Sequence, residues 1–132
     1  MPRPRRLAAA LAATLALGAA MTSQAVHASG SRCNPGCEAK VTYRSGKQHL
    51  KIRDKARDGH SAVGELQARV NGEWFPFNES GFWNSRGSDK RPKVVDLSGV
   101  RNGLRIRYRA CVGDRPDRRV FDCSRKWRRD RA

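Results

Sequence analysis

The sequence predicts an all-β fold, a small antiparallel β-sandwich of Ig-like type with six or seven short strands and disulfide staples. Three observations carry that expectation. After an N-terminal leader the apolar residues recur with period two, not 3.6. Turn signals interrupt the alternation at intervals typical of a sandwich. Four cysteines, Cys33, Cys37, Cys111 and Cys123, fall within one short chain, as in small extracellular domains that supplement a modest core with bridges.

The leader comes first. "MPRPRRLAAALAATLALGAAMTSQAVHA" places three arginines before an Ala/Leu run and a polar stretch, the pattern of a secretory signal. The run from Leu7 to Met21 is shorter than the roughly 20 apolar residues of a spanning helix. Val26 and Ala28 favour cleavage before Ser29, with cleavage after Ala25 as the alternative. The expected organisation is a signal peptide at 1–28, a Cys-containing segment at 29–37, a sandwich domain at 38–127 and a basic tail at 128–132. The product is expected to be secreted, extracellular, monomeric and without a membrane span.

"AKVTYR" and "QHLKIRD" are the first strand candidates. They turn Val41, Tyr43, Leu50 and Ile52 to one face and Lys40, Thr42, Arg44, Lys51 and Arg53 to the other, with Ser45-Gly46-Lys47 as the turn between them. "ELQARV" ends at Asn71-Gly72, a hairpin turn. "EWFPF" is its partner, and Pro76 assigns it to an edge. "KVVDLS" and "RVFDCS" add two more. The clearest alternation is "GLRIRYRACV": Leu104, Ile106, Tyr108, Ala110 and Val112 share one face, Arg105, Arg107, Arg109 and Cys111 the other. The closing "RKWRRDRA" is expected to be a frayed basic tail.

Four cysteines allow three pairings. Locality favours Cys33–Cys37 with Cys111–Cys123, the second pair flanking a hairpin. A zinc site would need compact Cys pairs, and the interval from Cys111 to Cys123 is too wide.

The chain holds 28 Lys+Arg against 12 Asp+Glu, a formal net charge of +16. Without Arg3, Arg5 and Arg6 the balance is 25 against 12, or +13. Such a field attracts anionic polymers, cell-wall or surface components and, non-specifically, nucleic acid. Arg105, Arg107 and Arg109 recur about 6–7 Å apart along one strand, from a rise near 3.3 Å per residue. That is close to the spacing of successive phosphates on a nucleic-acid strand. With Lys40, Arg44, Lys51 and Arg53 they are expected to form one contiguous basic face. A second constellation is "EWFPFNESGFWN", which holds five of the nine aromatic residues: Trp74, Phe75, Phe77, Phe82 and Trp83. Such rings fill a core or form a stacking platform for sugars or bases.

The run "DKARDGHSAVGE" imitates a calcium loop through Asp54, Asp58, Gly59 and Glu65. Ala56 stands where a ligand belongs, Lys55 and Arg57 crowd the site with positive charge, and both flanks alternate as strands, not helices. His60 beside Asp58 suggests an acid/base pair, but no motif fixes their geometry. The segment reads as an inter-strand loop. No metal or other cofactor and no catalytic residues are assigned.

"DGHSAVG", "FWNSRG" and "GLRIRYRACVGD" with "CSRKW" resemble a group of small secreted actinobacterial proteins of unassigned function. The likeness runs from about Val41 to Trp127. It implies a β-sandwich with a hairpin disulfide and implies no reaction. Many members of that group carry a Cys just before the DGH and another just after the WN-x-x-G, where this chain has Arg57 and Ser88. Function is therefore expected to be that of a secreted, non-enzymatic binding module attracted to anionic polymers. The alternatives are a carbohydrate-binding module using the Trp74–Trp83 segment and a small basic extracellular nuclease or toxin.

Overall fold

A computed structural model describes residues 30–89 and 91–132. The signal-peptide reading of 1–28 lies outside the described residues. Ten strands form two antiparallel sheets. Sheet A runs in the order β1 (Gly30–Cys33), β2 (Ala39–Arg44), β3 (His49–Asp54), β7 (Lys93–Asp96). Sheet B runs β10 (Arg128–Arg131), β8 (Arg105–Asp114), β4 (Ser61–Val70), β5 (Glu73–Pro76), with β6 (Phe82–Asn84) also on β4 and β9 (Arg119–Phe121) on β8. No helix among the described residues is long and apolar enough to cross a membrane.

The two sheets bury their period-two apolar faces against each other. Val41, Tyr43, Leu50 and Ile52 from sheet A share one core with Leu66, Ile106, Tyr108, Ala110 and Val112 from sheet B. Tyr43 and Tyr108 meet across it, ring centroids 6.1 Å apart. Asn84 ties the layers together, its Nδ2 donating to the Ile52 carbonyl at 2.9 Å. The turns follow local chemistry. A 3-10 turn at Ser45–Lys47 closes β2 to β3, and Asn71 and Gly72 take φ of 51° and 85°, the left-handed pair of a type I′ hairpin. β5 is the edge strand its proline demands. The bridges are Cys33–Cys37 and Cys111–Cys123.

A second, smaller cluster lies on the outer side of sheet B, where Val63, Trp83 and Cys111 pack together with Val120 and Cys123. Gly113 makes it possible: a Cβ there would sit 2.4 Å from Trp83 Cη2.

Ten strands replace the six or seven expected, and the additions share a cause. β1, β6 and β10 read GSRC, FWN and RRDR, with no alternation of apolar and polar residues to announce a strand. The expected frayed tail is β10, which pairs with β8 from Arg128↔Tyr108 to Arg131↔Arg105. It is fastened beyond its end by Ala132 N–H donating to Leu104 O at 2.9 Å and Gly103 N–H donating to Ala132 O at 2.7 Å.

Candidate functional site

The outer face of sheet B gathers charge and aromatic rings in one place. Alternation on β8 sends Arg105, Arg107 and Arg109 outward, as their sequence pattern predicts. Register then decides their neighbours. On β4, Glu65 stands opposite Arg109 and Gln67 opposite Arg107. On β10, Arg129 stands opposite Arg107 and Arg131 opposite Arg105. Trp74 of β5 is paired with Arg69 of β4. The two β4 neighbours each hold a guanidinium. Arg109 Nε donates to Glu65 Oε2 at 2.5 Å, and Arg107 Nε donates to Gln67 Oε1 at 2.7 Å.

Two indoles complete the arrangement. The Arg107 guanidinium carbon lies 4.6 Å from the Trp74 ring centroid and 4.4 Å from that of Trp127. Arg109 lies 4.5 Å from Trp127, and Arg69 lies 5.8 Å from Trp74. A guanidinium held over a ring keeps N–H groups for acceptors. Because Arg107 is partly desolvated and stands near Arg129 and Arg109, its pKa is lowered.

The row leads into a cleft at the end of the sandwich. It has a volume of about 910 Å³, and its lining includes Arg69, Trp74, Arg105, Arg129, Arg131 and Asp130. Asp130 alternates inward from β10 and is buried. Desolvation raises its pKa against the opposing effect of Arg131 N–H and Arg128.

The other expected basic residues lie elsewhere. Lys40 and Arg44 on β2, with Lys51 and Arg53 on β3, face outward from sheet A, pairing as Lys40↔Arg53 and Thr42↔Lys51. The two sheets share a core, so their outer faces look in opposite directions. The single contiguous basic face expected from the sequence is therefore two faces. Period two fixes which side of a strand a residue takes, but not which sheet the strand joins.

The aromatic segment is divided as well. Trp74 belongs to the outer face of sheet B, Phe75 is exposed with its partner Ala68 on the opposite side, and Phe77 is exposed. Phe82 packs on the main core, and Trp83 is buried in the outer cluster. No five-ring platform exists among these residues. Arg69, Arg129, Arg131 and Trp127 were not assigned a role from the sequence. The signal was present for three of them: Trp127, Arg129 and Arg131 alternate in "WRRDR" on one side of Arg128 and Asp130.

The Asp54–Glu65 segment becomes the wall of a second cleft at the other end of the sandwich, about 480 Å³ in volume. Gly59 takes φ of 76° and Asp58 Oδ1 accepts the His60 N–H at 3.0 Å, a turn that precedes β4. His60 Nδ1 bonds Asp114 Oδ1, not Asp58, and Asp114 is also held by Arg119 at 3.1 Å. Both partners lower the Asp114 pKa against the effect of burial. Arg57 and Ser88 line this same cleft, with Arg86 and Arg115. The calcium-loop lookalike is dispersed, since Asp54 is buried in the interior while Glu65 is ion-paired to Arg109 outside. Among the described residues one metal-compatible grouping occurs, Glu65 with Cys111 and Cys123. Its two sulfurs are joined to each other.

No family model, curated protein or solved structure matches the chain.

Proposed function

We propose that the protein is a secreted, non-enzymatic binding module that attaches to anionic polymers through the outer face of sheet B. One observation carries the reading: Arg107↔Arg129 and Arg105↔Arg131 are like-charged residues placed directly opposite each other. Such pairs destabilise a sheet, and none of these four takes part in an ion pair among the described residues. An anion lying between the strands turns the repulsion into attraction. Guanidinium is the side chain suited to it, donating bidentately to phosphate, sulfate or carboxylate. Stacking between Trp74 and Trp127 holds Arg107 in place beforehand, which lowers the ordering entropy lost on binding.

Two disulfides accord with an extracellular setting. Of the expected scaffold, the two-layer sandwich enters this proposal without the Ig-like strand order, since β1, β2 and β3 follow one another within one sheet. The nuclease alternative now draws on His60 held by Asp114. Loss of any RNA cleavage in His60→Ala would be its signature.

The test is binding to a labelled polyanion across salt concentrations, comparing two fourfold variants. Arg105, Arg107, Arg129 and Arg131→Ser should weaken binding and flatten the salt dependence, by about 0.7–0.9 in log–log slope for each phosphate contact removed. Lys40, Arg44, Lys51 and Arg53→Ser removes the same charge from the opposite face and should leave most of the slope. Equal losses from both variants would show that net charge, not this face, does the binding.

A further inference from the structure

The cleft at the Arg105 end of sheet B is not lined as a simple phosphate trap. Its lining holds Arg69, Arg105, Arg129 and Arg131, yet also Asp130, a residue only 8% exposed. A carboxylate repels an anion but accepts hydrogen bonds from hydroxyls. Around Asp130 the buried groups are polar and underused. Tyr108 Oη donates to Asp130 Oδ2 at the long distance of 3.5 Å. Tyr43 is near enough for Asp130 to act on its phenol. Its Oη, like the Oγ of Ser45 in the cleft wall, is buried without a hydrogen-bond partner among the described residues. Buried polar atoms are seldom left unpaired. Across the cleft, Gln48 Nε2 donates to Asn102 Oδ1 at 2.8 Å, and both residues line it. That pairing leaves one amide oxygen and further N–H donors for a ligand.

Three chemistries thus meet in one cleft: guanidinium groups for an acid, amide and carboxyl groups for several hydroxyls, and the Trp74 indole for an apolar ring face. Polyphosphate answers only the first. We propose that this cleft binds one anionic sugar residue of an acidic polysaccharide. The ring's acid group is met by the arginines, its hydroxyls by Asp130, Gln48 and Asn102, and its C–H face by Trp74. The volume, about 910 Å³, is within the range of roughly 300–1,000 Å³ usual for small-ligand sites. This inference rests on the outer face of sheet B being the polyanion surface, and it names the polymer that surface serves.

The experiment measures binding of the full disulfide-bonded chain to three probes at matched charge concentration: polygalacturonate, polyphosphate and single-stranded polyuridylate. Each is titrated at low salt and at a salt concentration that screens exposed charge. An Asn102→Ala variant is run beside the wild type. The Asn102 side chain bonds only at the surface. Thermal unfolding of the variant should therefore match the wild type. Polygalacturonate should keep measurable affinity at high salt while polyphosphate loses it. The variant should bind polygalacturonate about tenfold more weakly, the loss of one to three net hydrogen bonds, with polyphosphate unchanged. If all three probes bind alike and the variant changes none of them, the sugar assignment is wrong and the polyanion face stands. Preference for polyuridylate would replace the sugar with a nucleotide. Failure of every probe to bind at low salt would overturn both readings.

Discussion

Arg107 and Arg129 stand directly opposite each other on β8 and β10, the first flanked by two indoles and the second without an ion pair among the described residues. Replacing Arg129 by Ser removes the repulsion and half of the proposed anion-binding pair together. Stability at low salt should rise by about 0.2–1 kcal/mol, the range for a cross-strand pair, while polyanion affinity falls. Urea unfolding at low and high salt checks this. Added salt should stabilise the wild type more than Arg129→Ser, because screening relieves a repulsion only the wild type has.

Trp127 separates organisation from charge. Trp127→Ala leaves every arginine in place but removes the ring against which Arg107 and Arg109 lie. At about 0.5–1 kcal/mol for an exposed cation–π contact, polyanion affinity should fall roughly two- to fivefold. The salt slope should stay the same, since the number of charges is unchanged. A changed slope would show that Trp127 also determines how many contacts form.

Asp54 gives a pH signature. Burial raises its pKa above the ordinary 3.8, with Asp58 adding to the shift and the Ala56 N–H opposing it. Below 3.8 the carboxyl is protonated whether the chain is folded or unfolded, and it contributes nothing. As pH rises from 3.8 through the raised folded value, the unfolded chain releases its proton first, so folding stability is lost across that window. Asp54→Asn does not titrate. The stability of Asp54→Asn relative to wild type should therefore increase between pH 3 and pH 7, measured by urea midpoints at each pH. A flat difference would mean the carboxyl is not desolvated.

Gly113→Ala tests the outer cluster. The new methyl would lie 2.4 Å from Trp83 Cη2 and 2.8 Å from Val63 Cγ2, so the indole must move. Overpacking of this kind typically costs about 1–3 kcal/mol. The loss should appear in chemical denaturation and be accompanied by altered tryptophan fluorescence. Gly46→Ala, where nothing lies within 4 Å of the added Cβ, is the matched control.

Much of this molecule was legible because alternation is a local property. Of the inward set, Val41, Tyr43, Leu50, Ile52, Ile106, Tyr108, Ala110 and Val112 are buried as the pattern requires and Leu104 is half-buried, and the local disulfide pairing is the one formed. Partnership between strands is not local. Lys51 and Arg107 look equivalent along the chain, and pairing alone places them on opposite sides of the sandwich. Strand β10 was concealed for another reason. Its inward positions hold Arg128 and Asp130 where an apolar residue would have announced a strand. Trp74 and Trp83 are nine residues apart in an aromatic-rich segment, yet β5 holds one over the arginines while β6 buries the other.

Strand β10 has sheet partners on one side only, at the end of the sheet order, and it bears the residues that repel β8. By contrast, β4 is bonded to β8 on one side and to β5 and β6 on the other. Amide hydrogen exchange should divide accordingly, with β4 protected until the whole domain opens and β10 released by local fluctuations of much lower free energy. A polyanion bridging the two strands would act as a clasp on the least protected part of the sheet. Its arrival could then be followed, without a label, as slowed deuterium uptake at Asp130 and Ala132, whose N–H groups face β8.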